Sequence, residues 1–157
     1  LEAKDSKEPK NNALMWLGLS LIFVFLGTDE NIQFHEGLNG YLRHHFPTTG
    51  MLFFIWVIPY FLGTLIIGLL YLRFVLRLDL KIRLLIILAG FIFVFGAVGL
   101  ELIESQLYFE TNIFDSTYLI ISTFEELFEM IGIAIFIYAL LLFINSKFLP
   151  ISIKTLN

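Results

Sequence analysis

Ten of the fourteen carboxylates and all three histidines of this 157-residue chain gather in three stretches and the segments beside them. The stretches are DENIQFHE at 29–36, ELIE at 101–104 and FEELFE at 124–129. So many carboxylates cannot all stay ionised side by side. Protons must be shared, a cation must bind, or some groups must point into water. A divalent cation satisfies several carboxylates at once. A carboxylate-plus-imidazole set suits iron, manganese or zinc more than copper. The candidate metal ligands are Asp29, Glu30, His35, Glu36, Glu101, Glu104, Glu126 and Glu129, four to six of which would bind. Glu125 is the candidate general base.

Spacing places these groups on helix faces. Glu101/Glu104 and Glu126/Glu129 are E-x-x-E pairs, with both carboxylates on one side about one turn apart. Ala97, Glu101, Glu104 and Tyr108 form one stripe; Ser122, Glu126, Glu129 and Gly132 form another, with Glu125 adjacent. Asp29 and Glu36 align if their helix is continuous, and His35 then points elsewhere. Gly96, Ala97, Gly99 and Gly132 would let helices approach closely. The plain structural alternatives are a hydrogen-bonded polar patch for Glu125, Glu126 and Glu129, and helix ends in a headgroup layer for Glu101 and Glu104. For Asp29 and Glu30 the alternative is solvent exposure. Arg43, His44 and His45 are read as contacts to headgroups.

The elements that position these residues are apolar helices. The chain is 58% hydrophobic and 15% charged, with 18 phenylalanines and a mean hydropathy of +0.85. A soluble domain of this size cannot bury so much apolar surface. Four stretches approach the roughly 20 apolar residues that a bilayer crossing needs. The expected organisation is a polar tail at 1–12, one transmembrane domain at 13–146 and a C-terminal tail at 147–157. The spans fall at about 13–30, 51–72, 84–108 and 117–145. An amphipathic interfacial helix lies between the first two, broken by Gly37 or Gly40 and ended by Pro47. Pro59 is a predicted kink, and Asp115 or Ser116 the cap of the last helix. The first apolar run is kept as a span, because carboxylates and no small-residue cleavage site follow it.

Lys and Arg orient this all-α four-helix bundle. Lys4, Lys7 and Lys10 precede the first span. Arg73, Arg77, Lys81 and Arg83 join the second to the third, and Lys147 and Lys154 follow the fourth. Nine of ten cations thus share one side, with Arg43 the exception. Both termini are expected in the cytoplasm of a multi-pass inner-membrane protein. Trp16 and Trp56 would mark opposite interfaces. From Arg83 to Glu101, and from Lys147 back to Glu129, is 18 residues. That is roughly 27 Å at about 1.5 Å per residue, nearly the hydrocarbon thickness. The carboxylates therefore stand at the extracytoplasmic boundary, and Trp56 reaches the same level. Cysteine is absent, which excludes disulfides and thiolate chemistry. No nucleic-acid signature is present. No histidine sits mid-span, against a bis-histidine haem.

Two resemblances accompany this reading. The E-x-x-E pairs are similar to those of di-metal carboxylate bundles, although here neither ends in histidine. The motifs D-E-x(4)-H-E (Asp29, Glu30, His35, Glu36) and E-E-x-x-E-M-x-G (Glu125, Glu126, Glu129, Met130, Gly132) resemble those of a family of small, uncharacterised bacterial multi-span membrane proteins. That resemblance implies an acid/histidine site and no particular reaction. Residue usage rich in Ile, Phe, Leu, Lys and Asn points to a bacterial source, with an archaeal one as the alternative.

Two functions stay open at this stage. One is a metal-dependent enzyme acting at the membrane boundary. The other is a structural or accessory subunit of a larger complex, its acids holding a structural cation or sharing protons. A carrier is disfavoured, because there is no internal repeat and no acid at the midplane. The expected partners are the lipid bilayer, and further copies of the chain or a host complex.

Overall fold

The computed structural model describes residues 10–148. Lys4, Lys7 and Lys154, and with them most of the two expected tails, lie outside the described residues. Helix α1 runs Lys10–Ile32 and α2 runs Phe34–His45. A 3₁₀ turn at Gly50–Leu52 leads to α3, Val57–Leu76. Helix α4, Leu80–Val94, continues through a π-helical turn, Phe95–Leu100, into α5, Glu101–Thr111. Helix α6 is Ser116–Phe148. No strand occurs among the described residues. Four segments are long and apolar enough to cross a membrane: Ala13–Ile32, Val57–Leu76, Leu80–Thr111 and Ser116–Ser146.

Three boundaries differ from the sequence expectation, each for a local reason. The α1–α2 break falls at Gln33, which takes the left-handed conformation (φ 51°), and α2 runs unbroken through Gly37 and Gly40. A left-handed non-glycine residue costs roughly 1–2 kcal/mol. Hydrogen bonds that close around Asp29 offset it. Helix α3 begins six residues later than Met51, so Pro59 occupies its first turn. There the missing N–H costs no helical bond, and no kink is required. Helix α5 extends to Thr111 and stops at left-handed Asn112, whose N–H reaches Tyr108 O at 2.7 Å. The Asp115 carboxylate caps α6 by accepting the Tyr118 N–H at 2.9 Å.

The closest packing joins α6 to α4 and the π turn. A Cβ on Gly132 would stand 2.9 Å from Ala89 O and from Phe93 N. One on Gly96 would stand 3.0 Å from Glu125 O. Both positions need glycine so that the backbones can approach. A Cβ on Gly99 would come nearest to the Phe95 ring, at 3.3 Å. Helix α1 joins through aromatic contacts. Phe23 meets Phe136 at 4.8 Å between centroids, and Trp16 meets Phe74 at 4.9 Å and Phe143 at 4.8 Å. The Tyr71 hydroxyl donates to Met15 O at 3.0 Å. Between the four long helices lies an apolar cavity of about 330 Å³, with Leu26, Thr64, Val94 and Gly132 in its wall.

Candidate functional site

The acids come together where α3 begins, α5 begins and the first turns of α6 pass. Glu101, Glu104 and Glu125 each offer an oxygen, and the three oxygens lie within 4.8 Å of one another. Glu101 is 9% exposed and Glu104 only 1%. The Trp56 indole Nε1 donates to Glu101 Oε1 at 3.1 Å. Glu104 Oε1 is buried and has no hydrogen-bond partner among the described residues. Tyr118 stands beside Glu104.

Sequence explains this placement. The π turn carries an additional residue per turn relative to an α-helix. It shifts the buried face from Gly96 to Leu100 and Glu101, then Glu104 and Ser105. Ser105 is fully buried; its hydroxyl donates to Gly50 O at 3.1 Å and accepts Phe54 N–H at 2.9 Å. These two bonds fix the segment before α3 against α5, which brings Trp56 to Glu101. On α6 the inward stripe passes through Gly132, Phe136 and Ala139, all buried. Counting back by helical spacing reaches Glu129, Glu125, Ser122 and Tyr118, and leaves Glu126 off the stripe.

A second cluster surrounds Asp29, which is 7% exposed. Its Oδ1 accepts the His35 backbone N–H at 3.2 Å and the Tyr60 hydroxyl at 3.0 Å. His35 Nδ1 lies 3.0 Å from Oδ2, within hydrogen-bond distance. The His35 ring rests on Trp56 at 4.6 Å between centroids, and Trp56 meets Tyr60 edge-on at 5.0 Å. Trp56 therefore separates the Asp29–His35 pair from the carboxylate trio while touching both.

Of the eight residues expected as ligands, Glu101 and Glu104 stand in the trio. Asp29 and His35 bond to each other instead. Glu129 is half-buried beside Gly96. Glu30, Glu36 and Glu126 are exposed, and Glu36 accepts the Gln33 side-chain amide at 3.3 Å. Glu125, expected as a base, is the third member of the trio. Tyr60, Ser105 and Tyr118 were not among the candidates. A helical stripe through Tyr118, Ser122, Glu125, Glu129 and Gly132 carries the signal that would have found Tyr118 and preferred Glu125 to Glu126.

Like charges at this separation repel by roughly 3–4 kcal/mol per pair at an effective dielectric of about 20. No lysine or arginine hydrogen-bonds or ion-pairs with the trio among the described residues. The arrangement can therefore hold a divalent cation or share protons. Its donors are all carboxylate oxygens. Oxygen-only sets suit hard ions such as magnesium, calcium and manganese. The zinc-favouring imidazole lies beyond Trp56.

A family model described as "Domain of unknown function (DUF8692)" matches residues 3–144. No curated protein and no solved structure matches the chain.

Proposed function

The chain belongs to the DUF8692 family, and we propose that it is a multi-pass inner-membrane protein whose carboxylate trio binds a divalent cation at the extracytoplasmic end. Both termini are cytoplasmic in this reading, with Arg73, Arg77, Lys81 and Arg83 at the inner face. The ligands are Glu101, Glu104 and Glu125. Manganese is the best fit among the metals that the sequence suggests, because no nitrogen donor stands in the trio.

The observation that carries this reading is Glu104. Its side chain is 1% exposed, and one of its oxygens is buried without a partner. An unpaired buried carboxylate oxygen costs several kcal/mol. A cation against Glu101, Glu104 and Glu125 removes that cost and the mutual repulsion together. The Glu101–Trp56 bond then orients one ligand from outside, as partners of metal ligands commonly do.

The cavity supports an amphiphilic substrate for the site. Its wall reaches Val94 on α4 and Gly132 on α6. Each is seven residues from the trio on its helix, or about 10 Å at 1.5 Å per residue. A metal-dependent reaction on a lipid at the membrane boundary is the enzymatic form of this proposal. A closed cation site in a subunit of a larger assembly is the structural form.

The test is elemental analysis of protein purified in detergent without chelator, beside Glu104→Gln and Glu126→Gln. Stoichiometric metal in wild type and Glu126→Gln, lost in Glu104→Gln, is the expected result. Metal-free wild type would sink the cation reading and leave a proton-sharing network.

A further inference from the structure

Helix α3 is anchored at both ends and lines the apolar cavity in between. At one end the Tyr60 hydroxyl donates to Asp29 Oδ1 at 3.0 Å. At the other the Tyr71 hydroxyl donates to Met15 O at 3.0 Å, and Phe74 meets Trp16 at 4.9 Å between centroids. Between these anchors Thr64, Ile67 and Gly68 stand in the cavity wall. Gly90 of α4 stands there too, and a Cβ on Gly68 or Gly90 would meet nothing within 4 Å. Unlike Gly132, these two glycines do not bring backbones together. They leave room.

The room has the shape of one hydrocarbon chain. Its wall on α3 runs from Thr64 to Leu76, about 18 Å at 1.5 Å per residue. A volume of about 330 Å³ over that length has a mean section of about 18 Å². A polymethylene chain is about 4 Å across at van der Waals contact, so one chain fits and two do not. The length is close to the hydrocarbon depth of one leaflet, about 15 Å. Thr64 and Tyr71 carry the only polar side chains in the wall, and the Tyr71 hydroxyl is already engaged. Water needs two to four polar partners and does not fill such a space. Left empty, the wall would lose its dispersion contacts.

The opening and its charge narrow the occupant. Ala89 and Phe136 are buried, whereas Leu72, Leu76 and Ile87 are exposed. The cavity is thus closed toward α6 and open between α3 and α4. The segment joining those helices carries Arg73, Arg77, Lys81 and Arg83 against one carboxylate, Asp79. None of the four is ion-paired among the described residues. Half-buried Arg83 donates to the carbonyl of Leu76 at 3.2 Å, which sets a guanidinium at that end of the cavity wall. Basic segments at a membrane surface attract anionic headgroups.

We propose that the cavity holds one acyl chain of an anionic phospholipid, drawn from the leaflet at the Arg73–Arg83 end. The inference rests on the reading of the cavity as a place for an amphiphile, and it needs no cation in the carboxylate trio.

The experiment is native mass spectrometry of the detergent-purified full chain, titrated with dioleoyl phosphatidylglycerol or dioleoyl phosphatidylcholine. Wild type is expected to hold one phosphatidylglycerol per chain, at least roughly tenfold more tightly than phosphatidylcholine. Gly68→Phe and Gly90→Leu fill the cavity and should each weaken that binding by at least about tenfold. Gly63→Phe, on α3 outside the wall, should not. Arg83→Ala should reduce the preference between headgroups and leave a chain bound. Glu104→Gln should bind lipid as wild type does, so a metal-free trio would leave this result standing. Equal binding of the two lipids by wild type would overturn the proposal. So would wild-type binding in folded Gly68→Phe and Gly90→Leu, which would place the lipid on the outer surface of the helices.

Discussion

Trp56 donates its indole N–H to Glu101 across 3.1 Å, and this bond joins the start of α3 to the start of α5. The same ring supports His35. One side chain thus stands between the Asp29–His35 pair and the carboxylate trio and touches both.

Trp56→Phe keeps most of the apolar contact and removes the donor. A hydrogen bond to a charged or desolvated carboxylate contributes about 1.5–3 kcal/mol. The variant should lose that much stability in a reversible unfolding titration and bind metal more weakly. An unchanged midpoint would show that the bond contributes nothing.

Glu104→Gln removes like-charge repulsion and a ligand together. Chelator-treated Glu104→Gln should therefore be at least as stable as chelator-treated wild type. Wild type alone should gain stability on adding manganese, by about 2.7 kcal/mol at a hundredfold excess over the dissociation constant. Thermal unfolding with and without manganese checks both halves. Equal manganese shifts in the two proteins would place the ion elsewhere.

Gly132→Val pushes side-chain atoms into Ala89 O and the Phe93 backbone, where even a Cβ would come to 2.9 Å. Overpacking of this kind costs about 1–3 kcal/mol or more. Gly63→Val, where a Cβ meets nothing within 4 Å, should cost far less. Comparing the two unfolding midpoints separates close helix approach from a general intolerance of valine.

Asp29→Asn leaves the size of the side chain and weakens the grip on His35 and Tyr60. The α1–α2 break should then exchange amide hydrogens faster, by roughly tenfold for each 1.4 kcal/mol lost. Protection at His35 equal to that in wild type would mean that the left-handed Gln33 is held by other contacts.

The lack of cysteine makes topology directly readable. A single cysteine at Asn112 should react with a membrane-impermeant maleimide added to intact cells, and one at Leu78 only after lysis. The opposite pattern would invert the orientation.

Much of the fold was legible in the one-dimensional pattern. Apolar runs of bilayer length, interrupted by clusters such as Arg73–Arg83, determine the four long helices, because a helix in an apolar setting must satisfy its own backbone and shed its charges to the ends. The same pattern brought Glu101, Glu104 and Trp56 to one level by counting residues along helices of fixed rise. Tertiary structure alone decided which acids meet. Glu125 enters the trio and Glu126 does not, because Gly132, Phe136 and Ala139 set the rotation of α6 against α4. Asp29 turns to His35 because Gln33 adopts a left-handed conformation that no residue type there announces. The π turn at 95–100 rephases α5, and a sequence read at a constant 3.6-residue period carries no record of it. Helical rise is a local property of the backbone and survives in the sequence. Helix rotation is set by the sum of contacts between distant segments, and exists only once they have packed.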